Sequence, residues 1–356
     1  MNNIKVSVVL PCYNVEKYIR EGLNSIMAQT LSEWEAIMVD DGATDSTGQI
    51  CDEYTEKDSR FRVIHTKNQG VSCARNTGME DAKGELLYFM DPDDWIESNC
   101  LERCYEIYQQ HNCDIIQFDK YYVFGDEKRP DHTTDCGVWE HSDIIKNFTC
   151  KIVGLGQEAL NHWYKGGNVW DEKKNLGIWS FAFKRSFIEE NELRFDPKIS
   201  LFEDILFAID CTIKAKTLVS IPDILYNYNV RTSGVCMRST NDRERIYKDK
   251  SNLVSERVRL RSIVKDCDLH DYYLGSQVLS AIELTVKLSQ KWSNNRMVTQ
   301  YVKSPYVRES IEKVSLKGAP LKFKIPVQLL KWHAQKVLFF ICWLLNKFGL
   351  ASKMSM

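Results

Sequence analysis

The chain has 356 residues, 44% of them hydrophobic and 27% charged, and its formal net charge is −2. That length predicts a core domain with an appended region. The composition excludes a disordered chain, and the near-neutral charge excludes the broad basic footprint of a nucleic-acid binder. Twelve cysteines run from Cys12 to Cys342 with no C-x-x-C pair, so zinc-site spacing is absent. With no signal peptide at the N-terminus, those thiols predict a reducing, cytoplasmic setting. Cys100 and Cys104, at helical spacing, read as packing residues. No apolar run reaches the roughly 18 residues of a spanning helix.

In chain order, "KVSVVLPCYN" reads as a strand broken at Pro11, and Asn14 as the cap of a helix with apolar residues Tyr18, Ile19, Leu23 and Ile26. "WEAIMVDDGATDSTG" repeats the pattern: a strand, then Asp40, Asp41 and Gly42, then a helix entered near Asp45 or Ser46. "FRVIHT" is a third strand, "GVSCARNTGMEDAKG" a helix stopped by Gly84, and "ELLYFMD" a fourth strand. Apolar strands alternating with helices imply an α/β fold with a mostly parallel sheet flanked by helices. Ligands of such sheets bind beyond the carboxyl ends of the strands, so Pro11–Asn14, Asp40–Asp41 and Asp91–Asp94 are expected on one rim. From about Asp119 to Asn175 the pattern is irregular. A second ordered stretch, "LGIWSFAFKRSFIEENELRFDPKISLFEDILFAID", follows, and beyond Thr240 the chain reads as mostly helical.

"LLYFMDPDDW" runs an apolar strand into Asp91, Asp93 and Asp94. Carboxylates set so close repel one another and raise each other's pKa. A divalent cation would relieve this, since Mg²⁺ and Mn²⁺ take one or two carboxylates together with phosphate oxygens. A solvated turn, with Pro92 ending the strand and an aspartate capping the next helix, remains open on this stretch alone. "VDDGATDST" likewise reads as a polar loop able to accept an imide N–H from a base, or as a turn and helix cap. Tyr13 in "LPCYN" offers an aromatic face for a base. No G-x-G-x-x-G follows the first strand, which argues against a nicotinamide oxidoreductase.

Taken together, "VSVVLPCYNVEKYI", "SIMAQTLSEWEAIMVDDGATDST" and "NQGVSCARNTGMEDAKGELLYFMDPDDW" resemble glycosyltransferase family 2, with the nucleotide-diphospho-sugar transferase (GT-A, Rossmann-like) fold. The likeness is dense over residues 4–120 and resumes at "WSFAFKRSFI" and "FEDILF". It implies that Asp41 bonds the base, that Pro11 and Tyr13 line the base pocket, and that Arg75 approaches the nucleotide-sugar. Asp91 and Asp93 match the family's D-x-D, the first contacting ribose or the metal shell and the second binding Mn²⁺ or Mg²⁺. Asp94 extends that acidic edge. Asp204 matches the general base and Glu203 its support, although both also suit the first turn of a helix. Trp179, Lys184 and Arg185 match a variable acceptor-side segment and are open between packing and binding. Arg231 and Ser233 lie in a loosely matched segment able to reach a diphosphate.

The resemblance implies an inverting transfer from a nucleotide-diphospho-sugar, of UDP type, to a glycan or lipid-linked glycan in cell-surface polysaccharide synthesis. The competing reading is a non-catalytic module that keeps the fold and binds a glycan or partner. Residues 1–235 are the expected catalytic domain, with a nucleotide half (1–120) and an acceptor half (121–235). A helical region (236–312) and a basic amphipathic segment (313–356) follow. Beyond Glu312 no acidic residue occurs, yet eight lysines do. Its apolar core "VLFFICWLL" has nine residues, too few to span a bilayer. Lysines with Trp332, Phe339, Phe340, Trp343 and Phe348 predict a helix lying on an anionic membrane, at the inner face of the plasma membrane. A last helix packed on the protein is the alternative.

Overall fold

The computed structural model describes residues 4–132, 135–167, 176–199, 202–231, 243–264 and 270–348. Two compact units divide the chain: residues 1–148 with 175–232, and residues 149–174 with 233–356. The expected division at 235 and 312 differs from this. Residues 149–174 group with the C-terminal helices, and 313–356 is not a separate segment.

The first unit is built on one sheet. Its strands are β1 (Val6–Cys12), β2 (Trp34–Asp40), β3 (Phe61–His65), β4 (Leu86–Phe89), β5 (Trp95–Ile96), β6 (Ile115–Phe124), β7 (Glu127–Asp131), β8 (Gly137–Glu140), β9 (Phe181–Lys184) and β10 (Thr217–Asn229). The order is β3-β2-β1-β4-β9-β6-β10-β5, with β7 on β6 and β8 on β10. β1 to β4 are mutually parallel, while β9 runs against both β4 and β6. Every residue of β1, β2 and β4 is buried. Both faces of these three strands are therefore covered, as their continuous apolar runs require, whereas the edge strand β3 is only partly buried.

Local details depart from expectation where a polar side chain or a close approach decides. Pro11 does not break β1, which continues to Cys12 with Pro11 opposite Val39. Asn14 caps no helix. It sits at φ +52° and its Oδ1 accepts the Thr44 N–H at 2.8 Å, tying the β1 loop to the β2 loop. The next helix, Ile19–Met27, buries the predicted stripe of Ile19, Leu23 and Ile26. The third helix ends at Asp81 rather than Gly84. Gly84 instead lets the chain lie on β1, since a Cβ there would stand 2.5 Å from the Ser7 nitrogen. The irregular text after Asp119 hides the β6–β7 hairpin. Gln117, Asp119 and Lys120 are all buried in β6, so polar residues interrupt the apolar pattern of a covered strand.

In the second unit, the His270–Leu288 helix packs against the helices Asn295–Lys303, Pro305–Lys313, Leu321–Lys331 and Gln335–Lys347. Val278 and Leu284 share one core with Phe323, Val327, Leu330 and Phe339, all without solvent exposure. The C-terminal segment therefore contributes core, and it is not a free appendage. No described helix is long and apolar enough to cross a membrane.

Candidate active site

Because β1, β2 and β4 are parallel, their carboxyl ends share one rim, and Pro11–Tyr13, Asp40–Asp41 and Asp91–Asp94 follow them there. Tyr13 is 46% exposed, whereas Pro11 is buried. The Asp41 carboxylate is buried and accepts the backbone N–H groups of Gln69 and Gly70, each at 2.8 Å. Each carboxylate oxygen has a second lone pair, so Asp41 can hold that loop and still accept one more donor. Asp40 accepts the Ala43 N–H at 2.9 Å, and its Oδ2 lies 2.8 Å from Nδ1 of His65. That hydrogen bond holds the His65 imidazole above its ordinary pKa, against partial burial and with help from Asp52.

The acids after β4 divide by environment. Asp94 is 2% exposed, takes the Tyr226 hydroxyl at 2.6 Å on Oδ2 and takes the Asn229 N–H at 2.7 Å on Oδ1. Burial first, and then the nearby Asp91, push its pKa well up. Asp94 therefore does not extend the acidic edge; it fastens the end of β10 to the loop. That fastening brings Arg231, two residues beyond β10, into an ion pair with Asp93 and over the Tyr18 ring at 4.7 Å. The Ile19–Met27 helix can lie close because position 22 is glycine; a Cβ there would meet the Asp94 carbonyl at 2.8 Å.

Arg75 joins the D-x-D to the second acidic pair. It is buried in the helix Val71–Asp81. One guanidinium nitrogen donates to Asp91 Oδ1 and the other to Glu203 Oε1, both at 2.9 Å. Burial works against its charge, but Asp91, Glu203 and Asp204 outweigh this and raise its pKa. Its Nε is buried with no hydrogen-bond partner among the described residues. Glu203 and Asp204 open the helix Glu203–Lys214, and Phe202 before them holds φ +66°. A non-glycine residue in the left-handed region costs roughly 1–3 kcal/mol and persists only where its surroundings impose it. Asp204 is pushed up to about 7, by removal from water first and then by Glu203 and Asp91, with Arg75 opposing.

Asp41, Arg75, Asp91, Asp93, Glu203 and Asp204 thus belong to one unit, and Arg75 links two acids 112 positions apart in sequence, Asp91 and Glu203. Trp179 is different. It is buried, stacked on Tyr226 at 5.0 Å, and its carbonyl accepts the Tyr88 hydroxyl, so it is core. Lys184 and Arg185 bond Asn112 and the Gly84 carbonyl, which are packing contacts. Ser233 lies outside the described residues. Sequence reasoning missed the bridging by Arg75 and the anchoring by Tyr226 and Asn229. The polar alternation of "YNYN" at the end of β10 was the available signal for the anchor.

Among the described residues, no three His, Cys, Asp or Glu side chains converge as a self-sufficient metal site. Asp91 and Asp93 supply hard oxygen donors, and Asp93 already takes a cationic partner in Arg231. Such a pair fits a divalent cation that draws its other ligands from phosphate oxygens.

Residues 7–174 match the family model "Glycosyl transferase family 2". The chain is 39% identical over 241 residues to the glycosyltransferase GlyG of Streptococcus pneumoniae, covering 67% of this chain and 74% of GlyG. It is 30% identical over 231 residues to the glycosyltransferase EpsJ of Bacillus subtilis, and the match spans 63% of this chain but only 60% of EpsJ. The structure of Staphylococcus aureus TarS residues 1–349 with UDP-GlcNAc superposes with a TM-score of 0.63 at 20% identity, over 97% of this chain and 92% of that one. That likeness shows the fold alone.

Proposed function

The chain belongs to glycosyl transferase family 2 and has its GT-A fold, and from that premise we propose that it is an inverting glycosyltransferase acting in surface-polysaccharide synthesis. Its donor is a nucleotide-diphospho-sugar of UDP type. Its acceptor is a glycan or lipid-linked glycan, met at an anionic membrane surface on the cytoplasmic side. The observation that carries this is the Arg75 bridge, which ties the D-x-D to an acid pair whose second member is poised near neutral pH.

The base stacks on Tyr13 and bonds Asp41, whose position the Gln69–Gly70 backbone fixes. Asp91 and Asp93 would hold Mn²⁺ or Mg²⁺ beside the donor's diphosphate, where such a cation would offset the charge that grows on the leaving nucleoside diphosphate. Arg231 exchanges Asp93 for the diphosphate when donor binds. Asp204 accepts the proton of an acceptor hydroxyl, which attacks the anomeric carbon from the face opposite the leaving group. With its pKa pushed up to about 7, Asp204 is both basic enough to take the proton and largely ionised just above neutrality. Glu203 does not take the proton. It anchors Arg75, and so sets the field around Asp204.

Calorimetric titration of UDP-sugars into wild type and Asp93→Ala, with and without Mn²⁺, tests the donor assignment. Wild type should bind more tightly with Mn²⁺, and Asp93→Ala should lose that increment while remaining folded. A variant that keeps the whole Mn²⁺ increment would remove Asp93 from the cation site.

A further inference from the structure

The Gln335–Lys347 helix is apolar on two opposite sides. Leu338, Phe339 and Cys342 face the core, whereas Val337, Phe340 and Ile341 are exposed at 50%, 45% and 37%. The Leu321–Lys331 helix repeats the arrangement: Phe323, Val327 and Leu330 are buried, while Leu321, Ile325 and the following Trp332 are exposed at 71%, 55% and 68%. One stripe of each helix is satisfied by the unit's own core. The other is open on two helices that pack together, and apolar surface left exposed in that way marks an interaction site.

Two further features say what covers it. Exposed Lys322, Lys324, Lys336 and Lys347 lie on or beside these helices, and neither helix carries an acidic residue. Trp292, half-exposed, meets Phe340 at 6.1 Å and Trp343 at 5.9 Å, and Lys347 lies over the Trp343 ring. Protein interfaces are depleted in lysine. A second copy docking face to face would set lysine against lysine with no carboxylate on either helix to pair them. A bilayer with anionic headgroups meets both demands, taking the aliphatic and aromatic side chains at the acyl boundary and the ammonium groups at the phosphates.

We propose that the outward faces of the Leu321–Lys331 and Gln335–Lys347 helices form a docking surface for an anionic lipid bilayer, one that works while both helices stay packed in the folded unit. This deepens the membrane part of the proposed function and differs from a detachable anchor, since the same helices supply core on their other faces. Removing the apolar contact without touching the core requires Phe340→Ser with Ile341→Ser. Removing the charge requires Lys322→Gln with Lys324→Gln.

The test is flotation of the full chain with phosphatidylcholine vesicles made with and without phosphatidylglycerol. Quenching of tryptophan fluorescence by brominated lipid is measured in parallel, and circular dichroism checks the fold. Wild type should float only with the anionic vesicles and be quenched. Each double variant should keep its spectrum and lose binding by about tenfold or more. Both should bind UDP-sugar with Mn²⁺ as wild type does, so failure of the docking surface and failure of the catalytic reading remain distinguishable. Three results would overturn the proposal: wild type that does not float, variants that float as wild type does, or a dimer in solution that the Phe340→Ser/Ile341→Ser change dissolves.

Discussion

The rim of the first unit and the outward face of the C-terminal helices use side chains in opposite ways. On the rim nearly every carboxylate is already engaged. Asp40, Asp41 and Asp94 take backbone N–H groups, Asp91 and Glu203 share Arg75, and Asp93 holds Arg231. On the C-terminal helices the inner stripe is engaged and the outer one is left open. The difference teaches how each surface suits the ligand proposed for it. A diphosphate site requires charges fixed in advance, which is what engaged carboxylates provide. A lipid surface has no fixed geometry to match, so an uncommitted apolar stripe with lysines beside it is sufficient.

The largest effect that sharpens this contrast comes from deletion. Ending the chain after Pro320 removes Phe323, Val327, Leu330 and Phe339, four side chains without exposure. Each large-to-small loss in a core costs about 2–5 kcal/mol, so the second unit should unfold outright. Limited proteolysis should then cut within residues 243–313, whereas Phe340→Ser should leave that region protected. A truncated protein with an intact second unit would contradict the packing described here.

Next in size is Arg75→Met. It leaves Asp91, Glu203 and Asp204 without their shared cation, and loss of one partner from a buried ion pair costs roughly 3–5 kcal/mol. Urea unfolding should show that loss at neutral pH and much less of it in acid, where the carboxyls protonate. A pH-independent loss would mean that Arg75 matters for packing, including its contact over the Phe195 ring at 5.4 Å.

A smaller effect, opposite in sign, is expected from Asp204→Asn. The folded-state pKa of Asp204 is raised from the ordinary 3.8 of an aspartate to about 7. Its protonated form is thus favoured by folding, and this contribution to stability is present below about pH 4 and lost as pH rises through 7. The amide of the variant carries no charge to bury. The variant should therefore melt at a higher temperature than wild type at pH 8 and at nearly the same temperature at pH 4. Equal melting at both values would mean that Asp204 is not held in a destabilised ionised state.

Much of this was legible in the sequence. The four parallel strands followed from apolar runs, two of which, β2 and β4, stop at carboxylates, and the GT-A resemblance singled out Asp204 as the proposed base without any geometry. What was not legible has a common cause: it depends on partners distant in the chain. Nothing local distinguishes Asp94 from Asp91 and Asp93, because its role is set by Tyr226 and Asn229, more than 130 positions away. Asn14 reads as a helix cap until the β2 loop is placed beside it. β6 was hidden by Gln117, Asp119 and Lys120, whose burial no local pattern announces. The grouping of residues 149–174 with the C-terminal helices is likewise a long-range fact, seen in the bond from the Leu155 N–H to Ser276 Oγ at 2.7 Å.

The central claim is that the rim binds the donor while Asp204 acts only on the proton. Its most direct test measures donor affinity and turnover together in wild type and Asp204→Asn, across pH, with a UDP-sugar and Mn²⁺. Wild-type turnover should rise with pH and then level as the base ionises, with a midpoint no higher than about 7, because a cation on Asp91 would remove one of the charges that raise Asp204. In Asp204→Asn, donor affinity should be unchanged and turnover should fall by roughly 10²–10⁴, with that ionisation gone from the profile. A variant that loses donor affinity in proportion to turnover, or that keeps the wild-type pH profile, would contradict the assignment of Asp204 as the base.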